Sequence, residues 1–528
     1  MNKFKFILLV SLLPQVLLAR IDAPDPQEWK DVKGVQVSWG DIDMRYPKHS
    51  VPMYSVSDRI SLDGWRGERV YAQAVVWTAS GADDLEYEIS DLKGPRGHVI
   101  PAENISSGFV TYVKGDTFFS NGTGCGEWSK ETHIDSVLVA DCIDHCLESV
   151  NMSPMQTQGI WFTCWIPSDV APGEYKGSVR VRSKGKLIKR LGLSVVAGEN
   201  VLPAPEDWHF HLDLWQNPYA VARFHGVELW TPEHFEAMRP LMTLLANAGQ
   251  KVITTTLIHK PWGGQTYDHF ESMVEWVKKS DGTWEYGFGI FDRWVEFMMS
   301  CGITRQINCY SIAPWHSSFQ YYDEATDTLK TLEAHVGTPE YTEFWGRMLK
   351  AFAAHLREKG WFERCAIAMD ELPLETMRKV IDVIRKAEPD FKIALAGNYH
   401  PEIEKELYDY CIAYGQTFPE DVLARRKSEG KVSTYYTCCT ELAPNLFTIS
   451  EPEDAMVLAL EMLERKSDGY LRWAYNSWPE NPLTDSRFRA FTSGDTFIAY
   501  PGGRTSVRLE RLVQGIQQYE KVMVSKNR

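Results

Sequence analysis

Asp370 and Glu371 are adjacent carboxylates, set directly after the apolar run Cys365-Ala366-Ile367-Ala368-Met369 and just before Leu372-Pro373. An Asp-Glu dipeptide alone says little in a chain with 71 acidic residues, and Asp323-Glu324 is a second example. Context separates the two. The apolar run delivers the first pair from a buried strand to its mouth, and Pro373 stops the chain from continuing as strand. A structural reading stands beside this one, because acids favour the first turn of a helix and Leu374–Ala387 has a helical pattern.

Consecutive Cα atoms lie about 3.8 Å apart, and in a strand their side chains diverge to opposite faces. That is an awkward source for the two carboxyls of an ordinary retaining glycosidase, which flank the anomeric centre roughly 5–5.5 Å apart. Neighbouring acids suit another division of labour. Glu371, the longer side chain, reaches a glycosidic oxygen as general acid and later activates the incoming water. Asp370 holds the N–H of a substrate 2-acetamido group while that group's carbonyl oxygen attacks the anomeric carbon. The charge on Asp370 then favours the positive oxazolinium.

Such a pair must be positioned by the elements around it. After Asp207 the sequence alternates strand, loop and helix. Strands are expected at His209–Trp215, Val252–Leu257, Gln306–Ile312, Cys365–Met369, Ile393–Ala396, Tyr410–Tyr414, Val432–Cys438 and Gly469–Asn476. Helical patterns fall at Pro232–Ala248, Phe291–Ser300, Tyr341–Lys359, Leu374–Ala387, Ala455–Glu464 and Ser506–Val522. This rhythm predicts a (β/α)8 TIM-type barrel over residues 207–528. An open doubly wound sheet is the rival. The sequence carries no Gly-rich dinucleotide fingerprint after the first strand, no P-loop and no nucleophile elbow, so that rival lacks its usual chemistry.

In a barrel the reacting groups stand at the C-terminal ends of the strands. Trp215, Trp262 and Trp315 follow the first three strands, and Asn398 follows the fifth. Tyr414, Tyr436, Trp473 and Trp478 come from the sixth, seventh and eighth. Trp473 and Trp478 are candidates to stack on a sugar face, Tyr414 and Tyr436 to bond the acetamido carbonyl, and Asn398 to meet a ring hydroxyl. Each aromatic reads equally well as core packing. Asp495 and Arg504 flank Tyr500-Pro501-Gly502-Gly503 and suit either substrate hydroxyls or a pair with each other.

Residues 20–202 have a different texture. Arg69–Thr78, Ile160–Ile166 and Gly177–Arg182 are rich in branched and aromatic residues, with few helical stretches between them. They predict an N-terminal antiparallel β-sandwich. Leu202-Pro203-Ala204-Pro205 then reads as a linker. At the front, Lys3 and Lys5 precede an apolar run from Phe6 to Leu18, which suits an export signal over residues 1–19 and a periplasmic or secreted product. An uncleaved anchor is the competing reading, and no second spanning stretch is expected.

The 528 residues carry 56 Lys plus Arg against 71 Asp plus Glu, a formal charge of −15. An acidic chain without a basic run is a poor partner for nucleic acid or anionic lipid. The 19 Trp and 23 Tyr point instead to flat sugar faces, although most are expected in the core. Cys301, Cys309, Cys365, Cys411, Cys438 and Cys439 sit in or beside apolar runs, where free Cys acts as a small hydrophobe. Asp141-Cys142-Ile143-Asp144-His145-Cys146 is read as a local disulfide or plain loop cysteines in preference to a metal site, since no second ligand pair accompanies it. No metal and no cofactor are expected.

At these residues the sequence resembles glycoside hydrolase family 123, the β-N-acetylgalactosaminidases. The likeness lies in Gly67-Glu68-Arg69 and Val170–Gly177 in the front domain, and in Leu212-Asp213-Leu214-Trp215-Gln216 at the barrel entrance. It continues in Met369-Asp370-Glu371-Leu372-Pro373 and in Gly494–Gly502 followed by Ser506–Glu510. The resemblance implies a β-sandwich joined to a (β/α)8 barrel and acetamido-assisted retaining hydrolysis. Asp370 would orient the acetamido group and Glu371 serve as acid/base, on a glycan or glycolipid ending in a β-linked 2-acetamido sugar. Two alternatives stay open: the same mechanism on β-N-acetylglucosaminides or on both sugars, and a barrel that only binds carbohydrate.

Overall fold

The computed structural model describes residues 23–53, 55–116, 136–489 and 491–526. The expected export signal lies outside them. Among the described residues no helix is long and apolar enough to cross a membrane.

The front half is a β-sandwich. One sheet runs in the order Val35–Gly40, Arg69–Thr78, Gln156–Trp165, Ile105–Asp116, Ser136–Asp144 and Thr505–Ser506. The other is built on Arg59–Arg66, Lys186–Val201, Gly173–Ser183, Ala82–Ile89 and Val150–Met152. Pairing is antiparallel except where Arg59–Arg66 runs parallel to Lys186–Val201. Arg69–Thr78 is buried along its whole length. The strand's period of two sends its side chains alternately to two faces, and both are covered. Ala72, Ala74 and Val76 fill the space between the sheets, while Tyr71 packs on the opposite face with Trp161 and Val507.

The back half is a nearly closed eight-stranded parallel barrel. Its strands are His211–Leu214, Val252–Thr256, Gln306–Tyr310, Cys365–Met369, Lys392–Gly397, Asp409–Ala413, Val432–Tyr436 and Gly469–Arg472. The ring closes between the first and second through a single bridge, Leu212 to Gln250, and the bond from Lys251 N to Leu212 O at 2.9 Å. All eight anticipated strands are present. Several stop short of their expected C-terminal ends, because the residues beyond the ladder turn away to build the mouth. Two helices escaped the sequence reading, Pro218–His225 and Glu420–Ser428, and between the fifth and sixth strands there is only the short turn Glu404–Glu406. A small second sheet also forms from the loops after strands two and three: Glu275–Lys278, Trp284–Gly287, Ser318–Asp323 and Thr328–Glu333.

The two halves are stitched together by the tail. Thr505 and Ser506 pair antiparallel with Ile143 and Cys142, adding an edge to a sandwich sheet from beyond the barrel. Asp141 takes Arg508 at 2.8 Å, Arg45 at 3.0 Å and the Tyr500 hydroxyl at 2.7 Å, all at the seam. Asp144 takes Arg504 at 2.7 Å. The Asp141–Cys146 segment is thus an anchor between domains. Cys142 and Cys146 are both free, so the local-disulfide reading falls. Cys439, expected as a free hydrophobe, is disulfide-bonded.

Candidate active site

The fourth barrel strand explains how the acid pair is presented. Cys365, Ile367 and Met369 face the surrounding helices, while Ala366 and Ala368 face the barrel axis with Ala394 and Ala396 of the fifth strand. Four small side chains on one wall leave room for large ones from the other. Trp215, Tyr310 and Trp262 fill it, with Trp215 stacked on Trp262 at 5.0 Å and 28° and tilted against Tyr310 at 4.5 Å. Asp370 continues the inward parity of Ala366 and Ala368, so it enters this aromatic box from the wall.

Asp370 is only 6% exposed. Its Oδ2 accepts the Trp262 indole N–H at 2.5 Å, and its Oδ1 has no partner. Burial pushes its carboxyl up to about 7 against the pull of the Trp262 donor, and the neighbouring Glu371 charge adds to the rise. Glu371, one step on, is exposed at the mouth. The Tyr436 hydroxyl donates to its Oε1. Burial, with the Glu371 charge second, raises the Tyr436 phenol and keeps it a donor. Gly397 lies against this acid; a Cβ there would come within 3.4 Å of the Glu371 Cα.

Both carboxylates line a cavity of about 720 Å³ of open space at the C-terminal end of the strands. Trp215 and Trp262 form one side, Trp473 and Phe491 another, packed against each other at 5.4 Å. Trp315 lines the rim and is 51% exposed. Asp495, 1% exposed, lines the same cavity, and its Oδ1 accepts from Arg472 Nη2 at 2.7 Å and Trp473 Nε1 at 3.3 Å. Burial raises its carboxyl, and the Arg472 charge opposes that rise. The cavity offers two buried acids, one reachable acid and a wall of indoles. That inventory suits an uncharged, polyhydroxylated ring carrying an amide.

The structure brings Asp370, Glu371, Tyr436 and Trp473 to one cavity and leaves three other candidates outside it. Tyr414 follows the sixth strand on the outward parity, so its hydroxyl donates to Glu461 and its ring lies under Arg465 at 4.1 Å. Trp478 is wholly buried, donating to Ala499 O at 2.7 Å and packing on Phe224 at 5.7 Å. Asn398 accepts from Gln416 Nε2 at 2.5 Å and does not line the cavity. Asp495 and Arg504 do not pair with each other, since each has its own partner in Arg472 and Asp144. Trp215, Trp262 and Trp315 also line the cavity, and the sequence marks them only as residues that follow strands. Their signal was strand-end position plus residue size, facing the alanines of strands four and five.

Residues 215–525 match the family model for the glycoside hydrolase 123 catalytic domain, and residues 39–183 match that for the glycoside hydrolase 123 N-terminal domain. Among solved structures, a family 123 glycoside hydrolase from Clostridium perfringens, described for glycolipid glycan hydrolysis, superposes with a TM-score of 0.84 at 27% identity. The match covers 93% of this chain and 88% of that one. A family 39 glycoside hydrolase from Bacteroides cellulosilyticus superposes only loosely, with a TM-score of 0.36 at 9% identity over 78% of each chain. A Bacteroides ovatus xyloglucanase gives a TM-score of 0.32 at 11% identity over 87% of this chain and 98% of its own. No curated protein matches the sequence. With both domain models matched in order and most of the barrel covered by one of them, the chain belongs to glycoside hydrolase family 123.

Proposed function

We propose that this glycosidase is an exported, exo-acting, retaining β-N-acetylgalactosaminidase that uses its substrate's own amide as nucleophile. The observation that carries the reading is the inequality of the two acids. Asp370 is sunk among indoles with an unpartnered Oδ1, an acceptor suited to an amide N–H. Glu371 stands at the mouth, where a glycosidic oxygen and later a water can reach it.

In the first step Glu371 gives its proton to the leaving oxygen as the C1–O bond breaks. The acetamido carbonyl oxygen closes on C1 from the other face, forming the oxazolinium. Asp370, ionised, accepts the ring N–H and opposes its positive charge with a nearby negative one, an interaction strengthened by the dry indole wall. In the second step Glu371 takes a proton from water, which opens the oxazolinium at C1 and restores the acetamido group with net retention. Tyr436, bonded to Glu371, fixes the carboxyl's direction through both steps. Trp215, Trp262 and Tyr310 surround the buried acid with apolar surface that fits the acetamido methyl. Trp315 at the rim is placed for the part of the glycan beyond the scissile bond.

The test is a panel of chromogenic β-galactoside, 2-acetamido-β-galactoside and 2-acetamido-β-glucoside. The reading expects cleavage of the acetamido-galactoside, with the plain galactoside slower by at least about a thousandfold, since the internal nucleophile is absent. Equal rates on the two galactosides would refute the amide's role. Folded protein that cleaves none of the three would favour a carbohydrate binder.

A further inference from the structure

Resting on the reading above, we propose that Asp495 is the specificity-determining acceptor for the substrate's axial 4-hydroxyl. In the closed ring of strands, the fourth (Cys365–Met369) and the eighth (Gly469–Arg472) are four places apart in either direction, so they face each other across the axis. The acid pair ends the fourth. Arg472 closes the eighth and holds Asp495 on the far side of the mouth. In a pyranose ring C4 is the carbon opposite C1. A sugar that offers C1 and C2 to Glu371 and Asp370 therefore offers its C4 substituent to the eighth strand's side.

The chemistry at that point is unfinished. Asp495 is buried in the cavity wall, its Oδ1 held by Arg472 and the Trp473 indole. Its Oδ2 is buried and has no hydrogen-bond partner. A buried acceptor left unpaired costs stability until a donor meets it. A sugar hydroxyl is a donor of the right size, and Arg472 Nη2 with the Trp473 N–H anchors the carboxyl through its other oxygen before it arrives. Arg504, which also flanks this stretch, is bound to Asp144 at the domain seam and takes no part.

The experiment compares wild type with Asp495→Asn on three acetamido substrates: galacto, gluco and the 4-deoxy sugar common to both. Wild type should cleave the galacto substrate about a hundredfold or more faster than the 4-deoxy one, since a site built around a hydroxyl rejects its absence. In Asp495→Asn that ratio should fall to within about fivefold, with the 4-deoxy rate little changed. Equal slowing of all three substrates would overturn the proposal, leaving Asp495 a support for Trp473. So would an undiminished galacto to 4-deoxy ratio in the variant. Should Asp495→Asn fail to fold, protection of wild type against heat by free acetamido-galactose and by its 4-deoxy analogue decides. Equal protection by the two refutes the proposal, and stronger protection by the parent sugar upholds it. Wild type that cleaves no acetamido sugar at all would instead sink the functional reading itself.

Discussion

Asp141 at the domain seam and Asp370 at the barrel mouth are both buried acids, yet they are treated in opposite ways. Asp141 has two arginines and a tyrosine hydroxyl, and the charges of Arg508 and Arg45 hold its carboxyl below the usual range despite full burial. Asp370 has one indole N–H and rises to about 7. A seam needs its charge paired in the resting protein, because an unpaired buried charge would pull the domains apart. On the proposed mechanism, a mouth that awaits a positive oxazolinium does the reverse. It keeps an acid short of partners until the reaction supplies one. On that proposal the same residue type carries stability at one place and activity at the other.

Substitutions can break that contrast. The largest effect is expected at Glu371→Gln, which should lower kcat about 10³- to 10⁴-fold on substrates with poor leaving groups, the span attributed to general acid catalysis. Aglycones that leave unaided should recover most of the loss, while Asp370→Asn should recover little on the same substrates. Steady-state rates across a leaving-group series measure this, and identical behaviour of the two variants would contradict the assigned roles. Next comes Asp141→Ala, which leaves the buried Arg508 and the partly buried Arg45 without their carboxylate and should cost about 3–5 kcal/mol of stability in denaturant titration. The activity of the fraction that stays folded should be little altered.

The pH dependences should run in opposite directions. Asp370 has a raised carboxyl, so its contribution to stability is present below its unfolded value near 3.8 and lost as pH rises through about 7. Asp370→Asn should accordingly melt higher than wild type at pH 8, by the equivalent of about 1–3 kcal/mol, and gain nothing at pH 4. Asp141 is depressed, so its contribution is present above the unfolded value and lost as pH falls through the folded one. Calorimetry of wild type and the two variants from pH 8 down to about pH 2, well below the ordinary aspartate value, checks both signs. Activity should follow Asp370, with kcat/KM falling as the medium acidifies through about 7 because the ionised form is required. The smallest effect is expected at Trp262→Phe. Loss of its donor should move that acid limb to higher pH and lower kcat about tenfold, with KM little changed.

The same contrast explains what was legible in the sequence. The barrel strands stand out because each is a short apolar run between loops, and Cys365–Met369 was located to the residue. The Asp-Glu pair followed directly from where that run ends. The helix Glu420–Ser428 was hidden because Arg425, Arg426 and Lys427 break its apolar pattern, with Arg426 buried against Glu404. Pocket aromatics were harder, because one residue of parity decides between cavity and outer shell. Tyr436 falls inward and Tyr414 outward, although one ends a barrel strand and the other directly follows one. Pairings across domains left no local trace. Asp141 and Arg508 are neighbours only in the folded chain, and so the tail motif looked like site chemistry where it is largely a fastening.

The amide's role can be measured without altering the protein. In a series of β-galactosaminides whose N-acyl group carries zero, one, two and three fluorines, each fluorine weakens the carbonyl oxygen as a nucleophile and changes its size little. If that oxygen forms the bond to C1, log kcat/KM should fall steadily and steeply along the series, on substrates that share one leaving group. A flat series, with the trifluoroacetyl sugar cleaved as readily as the acetyl one, would mean that some other group attacks and that the buried aspartate does not serve an oxazolinium.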